Sequence, residues 1–266
     1  MIILAIPSGS NYSYILAADK RRKCAVIDPI NTNQIIKNIK DFELGDVEVI
    51  FNTHNHGDHT GGNSSLQQKT NAKILAHKFD YKRVPGKADS VNDGDVVTID
   101  DMEITVLHTP GHTSGGICLF IQPDHGKSYL FSGDTVFVAG CGNPNYGGNP
   151  EKIYKSFKDK IFPLPTETVL CPGHDYSIND LNFALSIEPN NKDTRKFLRK
   201  SENFKNNDSV LLKDIFLTTL EEERLFSPFF RLNSEEIRNT LKNKFSKVFE
   251  DEKSVFLALR ELRNRW

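Results

Sequence analysis

The sequence predicts an α/β protein: a sheet-rich sandwich over residues 1–176, followed by a helical part over residues 177–266. Three observations carry this. Short apolar runs alternate with a helical pattern through the first part, as in layered α/β folds. After residue 176 strand signals thin out and helix-period patterns take over. Several of the early strands also end in loops rich in Gly, His and Asp, which suits strand ends that present a site.

Composition bounds the function. At 266 residues, 38% hydrophobic and with 18 Phe, the chain can bury a sizeable core in one large or two modest domains. A formal net charge of -1 supplies no global field for nucleic acid or an anionic membrane, so neither is expected as a partner, and no obligate protein partner is evident. The cysteines Cys24, Cys118, Cys141 and Cys171 form no C-x-x-C pair and read as reduced, buried thiols. The apolar start, Met1 to Pro7, is too short for a signal segment. A cytoplasmic protein is expected.

In chain order, residues 1–6 and 12–18 predict a hairpin turned at Pro7-Ser8-Gly9-Ser10. Cys24–Ile27 is a short strand ending at Asp28-Pro29, and Asn31 or Thr32 caps a helix carrying Ile35, Ile36 and Ile39. Val47–Phe51 is the next strand. A helix over 64–70 and a strand over 73–76 follow, and the polar stretch 80–95 predicts turns. Val96–Ile99 and residues 104–107 alternate as a hairpin on Asp100-Asp101. Strands are expected at Ile117–Ile121, 129–131 and 168–170. Pro150 opens a helix with Ile153, Tyr154, Phe157 and Ile161 inward. The helical part predicts helices over 179–187, 192–205, 234–245 and 252–265, with Ser234 as an N-cap before Glu235 and Glu236.

The chemistry concentrates in Thr53-His54-Asn55-His56-Gly57-Asp58-His59, directly after the strand Val47–Phe51. Imidazole nitrogen and carboxylate oxygen are the donors that zinc and similar divalent ions prefer. Three further loops after predicted strands supply His112, Asp134 and His174. Together these donors are too many for one tetrahedral ion and enough for two that share a carboxylate.

The run at 53–59 resembles the T-H-x-H-x-D-H motif of the metallo-β-lactamase superfamily without a gap. Within that superfamily the chain is similar to the glyoxalase II (hydroxyacylglutathione hydrolase) family. The further matches are His112-Thr113-Ser114-Gly115, Gly133-Asp134-Thr135-Val136-Phe137, Ala139-Gly140-Cys141-Gly142, Cys171-Pro172-Gly173-His174-Asp175-Tyr176 and Pro228-Phe229-Phe230-Arg231. The resemblance covers nearly the whole chain. It implies a metallo-β-lactamase αββα sandwich followed by a C-terminal α-helical domain that binds glutathione. It also implies two divalent ions, with zinc the default and iron or manganese suited to the same donors. His54, His56 and His112 would hold the first ion, Asp58, His59 and His174 the second, and Asp134 would bridge them. The implied reaction is hydrolysis of the thioester S-(R)-lactoylglutathione to glutathione and D-lactate by a metal-bridged hydroxide, the second glyoxalase step of methylglyoxal detoxification. The resemblance makes Asp58 and Asp134 its catalytic residues, Asp134 as the bridge and Asp58 with a second role in orienting the hydroxide.

The same resemblance places Tyr146, His174, Tyr176, Arg260 and Arg263 at the substrate, together with Asn143. The chain departs from the family here: the loop after Gly142 usually carries a basic residue, and this one reads Asn143-Pro144-Asn145-Tyr146. Blander readings compete. A basic flank at a helix C-terminus is ordinarily solvated and favoured by the helix dipole. A Pro-Gly-His turn can simply close a strand. Val255, Leu259, Leu262 and Trp266 recur at helical spacing and predict an inward face. His77, His108 and His125 are read as structural or surface residues, Cys141 as a packed small residue, and Tyr12 and Tyr14 as parts of a half-buried hairpin. The rival function is a persulfide dioxygenase-like enzyme with a single iron on the same fold.

Overall fold

The computed structural model describes residues 1–204 and 210–266. Two six-stranded sheets face each other, each covered by helices on its outer side. The first sheet runs β1(Ile2–Ser8), β2(Asn11–Ala17), β3(Cys24–Ile27), β4(Val47–Phe51), β5(Lys73–His77), β6(Ala88–Val91) in chain order. The second contains β7(Val96–Ile99), β8(Met102–His108), β9(Ile117–Ile121), β10(Tyr129–Gly133), β13(Val169–Pro172) and β14(Thr218–Thr219), in spatial order β14-β13-β10-β9-β8-β7. A two-stranded ribbon, β11(Val136–Phe137) with β12(Gly140–Cys141), hangs from the end of β10.

Side chains alternate between two cores, as the pleat requires. In β10, Phe131 joins the core between the sheets with Phe51, Ile104 and Leu119, while Leu130 faces the outer helices. The first sheet is backed by α1(Thr32–Asp41) and α3(Asn63–Thr70), whose Ile35 and Leu66 pack on Val26 and Ile50. The second is backed by α4(Pro150–Ser156), which runs on through a π-helical turn to Ile161. It is backed too by α5(Ser177–Ile187), α8(Glu235–Phe245) and α9(Glu252–Arg263), with Phe157, Phe183 and Phe256 at their junction.

Strand direction then places the site. β3 and β4 are parallel, and β8, β10 and β13 all run one way, because β9 is antiparallel to both β8 and β10 while β13 is parallel to β10. The C-terminal ends of these five strands therefore share one edge of the sandwich. The edge is tied across the sheets: the Tyr12 N–H donates to the Gly173 carbonyl and the Ile117 N–H to the Thr53 carbonyl. Tyr14 is buried, and its hydroxyl donates to the Pro172 carbonyl at 2.8 Å.

Four expectations need correction. Residues 88–91, read as turns, form edge strand β6, whose pairing is carried by backbone bonds to β5 rather than by an apolar pattern. Residues 218–219, where no strand was expected, form β14, which pairs with β13 and then leads into α7(Leu220–Phe226) through a capping box between Thr219 and Glu222. α6(Lys192–Glu202) ends before the expected 205, which lies outside the described residues. Trp266 lies beyond the end of α9 and is 55% exposed, so of the four expected residues Val255, Leu259 and the partly buried Leu262 face inward, joined there by Phe256 and Ala258.

Candidate metal centre and adjoining pocket

The run after β4 folds as a short extended segment and then one helical turn, α2(Gly57–Thr60), with His56 as its N-cap. This change of backbone splits the run. His54 and His56 point to one centre with His112, and Asp58 and His59 to a neighbouring one with His174. Within each triad the donor atoms lie within 4.8 Å of one another. His56 Nδ1 is 3.1 Å from His54 Nε2 and 3.0 Å from His112 Nε2, and His59 Nε2 is 3.0 Å from His174 Nε2. Asp134 sits between the triads. Its Oδ2 is 3.4 Å from His112 Nε2, and its Oδ1 is 3.3 Å from His59 Nε2 and 3.4 Å from His174 Nε2. The sharp turn that presents it needs Gly133, at φ +48°, where a Cβ would strike Thr53.

Each histidine that offers Nε2 to the cluster has its other ring nitrogen engaged. His54 Nδ1 meets Thr53 Oγ1 at 3.0 Å, His59 Nδ1 meets Asp28 Oδ2 at 2.9 Å, His112 Nδ1 meets the Asn143 carbonyl at 2.7 Å, and His174 Nδ1 meets Ser10 Oγ at 3.3 Å. A carboxylate and a carbonyl can only accept, so His59 and His112 carry a proton on Nδ1, which leaves Nε2 as the nitrogen that can bind a cation. Three ring nitrogens facing one another in the first triad, and two beside the Asp58 carboxylate in the second, cannot all be satisfied by shared protons. A cation of divalent size accepts their lone pairs together. The donor set therefore fits two metal ions with Asp134 between them.

The electrostatics fit as well. Burial drives the His54 and His112 imidazoles toward the neutral form. Burial also lowers His59 and His174, but the carboxylates of Asp134 and Asp28 at the first, and of Asp134 and Asp58 at the second, outweigh it and raise both. Asp134 is buried, which alone would raise it, yet His59 and His174 hold it well below the usual carboxylate range. Asp58 is held low chiefly by His174. The carboxylates stay ionised where cations would sit.

Asp28 is the main residue missed from the sequence. It is buried at the end of β3 with φ +49°, takes the Thr53 N–H at 2.8 Å and the Thr53 hydroxyl at 2.6 Å, and orients His59. The Asp28-Pro29 strand ending was the available signal. Asn11 was also missed: its Nδ2 donates to the Asp58 carbonyl at 2.9 Å and to Asp58 Oδ2 at 3.2 Å. A residue in a hairpin turn gave no hint of this. His77 and His108, set aside in the sequence, stack on each other away from the cluster, with centroids 3.8 Å apart.

A cavity of about 650 Å³ opens beside the triads. Tyr176 stacks on the His174 ring at 4.7 Å between centroids and lines this cavity with Tyr146, Arg260, Arg263 and Trp266. Asn143 lies there too, but its side chain caps the Asn145 N–H and its carbonyl holds His112, so its fixed contacts serve the centre's scaffold. The two arginines are not a solvated flank. Arg260 is 4% exposed and donates through Nη1 to the carbonyls of Cys141 at 2.5 Å and Gly142 at 3.2 Å, and through Nε to Asn264. Arg263 donates through Nε to buried Asp180 at 2.7 Å. Burial raises Asp180 to about 6, with Arg263 and Arg260 pulling it back down. Arg231 of the Pro228-Phe229-Phe230-Arg231 match pairs with Glu188 away from the cavity, through Nε at 2.8 Å.

Comparison with known proteins accords with this geometry. Residues 6–174 match the metallo-beta-lactamase superfamily, and residues 175–266 match the hydroxyacylglutathione hydrolase C-terminus. The chain thus has the metallo-β-lactamase fold with a hydroxyacylglutathione hydrolase type of C-terminal part. It is 36% identical to the hydroxyacylglutathione hydrolase of Nitrosococcus oceani, over 96% of this chain and 95% of that one. It is 33% identical to the cytoplasmic hydroxyacylglutathione hydrolase of Arabidopsis thaliana, over 96% and 93%. The crystal structure of ETHE1 from Myxococcus xanthus superposes with a TM-score of 0.66 at 23% identity, covering 99% of this chain and 98% of that one, which is a likeness of fold. On these grounds the chain belongs to the hydroxyacylglutathione hydrolase (glyoxalase II) family.

Proposed function

We propose that the chain hydrolyses S-(R)-lactoylglutathione to glutathione and D-lactate, in the cytoplasm, as the second step of methylglyoxal detoxification. The observation that carries the reading is the pair of triads joined by Asp134, opening on a cavity whose lining also bears two arginines. His54, His56 and His112 would hold one zinc ion, Asp58, His59 and His174 a second, and Asp134 both. Bound there, the ions supply Lewis acidity toward a water and toward a thioester carbonyl oxygen. The chain's own residues do the rest. Asp58 Oδ2, held by Asn11, faces the cavity as an acceptor that can orient the attacking water. Tyr176 and Tyr146 flank the acyl and peptide portions. Arg263, with Arg260 behind it, meets a carboxylate of the thiol. A thiolate is a good leaving group, so no strong general acid is required. Residues 1–176 are the catalytic unit and residues 177–266 the glutathione-binding unit in this reading.

The test is hydrolysis of S-lactoylglutathione by the metal-loaded protein, with metal counted in the same sample. Two ions per chain and activity lost on chelation are expected. One iron per chain with oxygen uptake would overturn the reading in favour of the dioxygenase chemistry considered above.

A further inference from the structure

The cavity lining carries a carboxyl that neither the ligand set nor the proposed chemistry uses. Asp180, in the first turn of α5, is 2% exposed and lines the cavity. Its Oδ1 takes the Arg263 Nε–H, and its Oδ2 has no hydrogen-bond partner among the described residues. The fold makes room for this oxygen: a Cβ at Gly140 would lie 2.3 Å from it. A tie between α5 and α9 would need only one neutral acceptor. A buried carboxylate with a bare oxygen is a costly way to make it, unless the charge matters.

What the charge does follows from its neighbours. Arg260 is committed to Cys141, Gly142 and Asn264. Arg263 is gripped only by its Nε edge, with its guanidinium carbon 5.9 Å from the centre of the Phe183 ring, and both its Nη groups are without hydrogen bonds among the described residues. A guanidinium held this way presents its other edge as a fork for one carboxylate. Asn143 adds no charge, so the two arginines less Asp180 leave the wall with a net charge of one.

We infer that Asp180 is a specificity-determining residue: it aims Arg263 and cancels one of the wall's two positive charges, so that the pocket reads a single carboxylate of its thiol. The inference rests on the function proposed above and narrows it. Of glutathione's two carboxylates, one is gripped and the other is left to solvent.

The test uses the metal-loaded full chain with three thioesters: S-lactoylglutathione, its glycine amide, and the derivative with the γ-glutamyl α-carboxyl converted to an amide. In the wild type, one amide raises KM by about tenfold and the other leaves it within about twofold, with kcat unchanged for both. Asp180→Asn keeps the shape and an oxygen for Arg263 Nε. It lowers KM for the parent by about three- to tenfold, leaves both amides short of that gain because each lacks one of the two carboxylates the wall can then meet, and leaves kcat alone. A merely structural role would move all three substrates alike. Calorimetric titration with glutathione reads the same tightening without turnover. Equal sensitivity to both amides, or an unmoved KM and glutathione affinity in Asp180→Asn, overturns the inference while leaving the thioesterase reading intact. Neither turnover nor glutathione binding by the wild type would overturn both.

Discussion

The metal edge and the arginine wall line one cavity, yet they are built on different terms. On the edge, five imidazoles and two carboxylates come from separate strand ends, and a backbone carbonyl, a hydroxyl or a carboxylate fixes the second nitrogen of four of the rings. Short side chains on a hydrogen-bonded sheet edge leave little room to adjust. On the wall, two long side chains from α9 are placed by charge balance with Asp180 and by carbonyls of the 141–142 segment. The edge is suited to fixing reacting atoms and the wall to grading affinity. Substitutions on the edge should therefore act on kcat and metal content, and those on the wall on KM.

The sharpest break is Asp134→Asn, which keeps the shape but removes the charge shared by both triads. Its kcat should fall on the order of 10²–10³-fold, with fewer than two ions retained by elemental analysis. One shell out, Asp28→Ala frees the His59 ring, and metal affinity measured by competition with a chelator should weaken by roughly 10- to 100-fold. An unchanged affinity would mean that Thr53 alone suffices to hold the edge. On the wall, Arg263→Gln should raise KM about tenfold with kcat nearly unchanged and both ions retained; a matching loss of kcat would erase the distinction.

The tie between α7 and the turn of the β11–β12 ribbon offers a pH test. Glu223 on α7 is fully buried, and burial raises its carboxyl to about 8 although Thr218 and the Ala139 N–H lower it. A raised folded pKa means that the folded state binds the extra proton. Its contribution is complete below the unfolded value near 4.5 and is lost as pH climbs toward 8, a difference on the order of several kcal/mol. The wild-type melting temperature should thus decline over that window. Glu223→Gln, which can accept from Ala139 and donate to Thr218, should flatten the decline. The smallest effect is expected at Tyr146, which is 71% exposed: Tyr146→Phe should shift KM less than about twofold.

Much of this was legible in the chain. The strands Cys24–Ile27, Val47–Phe51, Val96–Ile99 and Ile117–Ile121 carry strong β-branched or apolar signals and form where expected. Edge strands β6 and β14 were not legible, since a strand held by backbone pairing alone needs no apolar pattern. The seven candidate ligands were nameable because ligand chemistry restricts the residue types. Asp28, Asn11 and Asp180 were not, because a supporting carboxylate or amide looks like any other polar residue until its partner is in place.

By itself the sequence determined the layered α/β class, the helical tail and the donor atoms at the strand ends, all of which rest on local pattern and residue chemistry. The tertiary structure alone decided how the run at 53–59 divides between two centres. The backbone turns into α2 after His56 and aims Asp58 and His59 away from His54. It also decided that Arg260 braces the 141–142 segment while Arg263 stays half free beside Asp180. Those partners lie more than eighty residues apart in the chain, and only packing α9 against α5 and the β12 ribbon brings their charges within bonding distance.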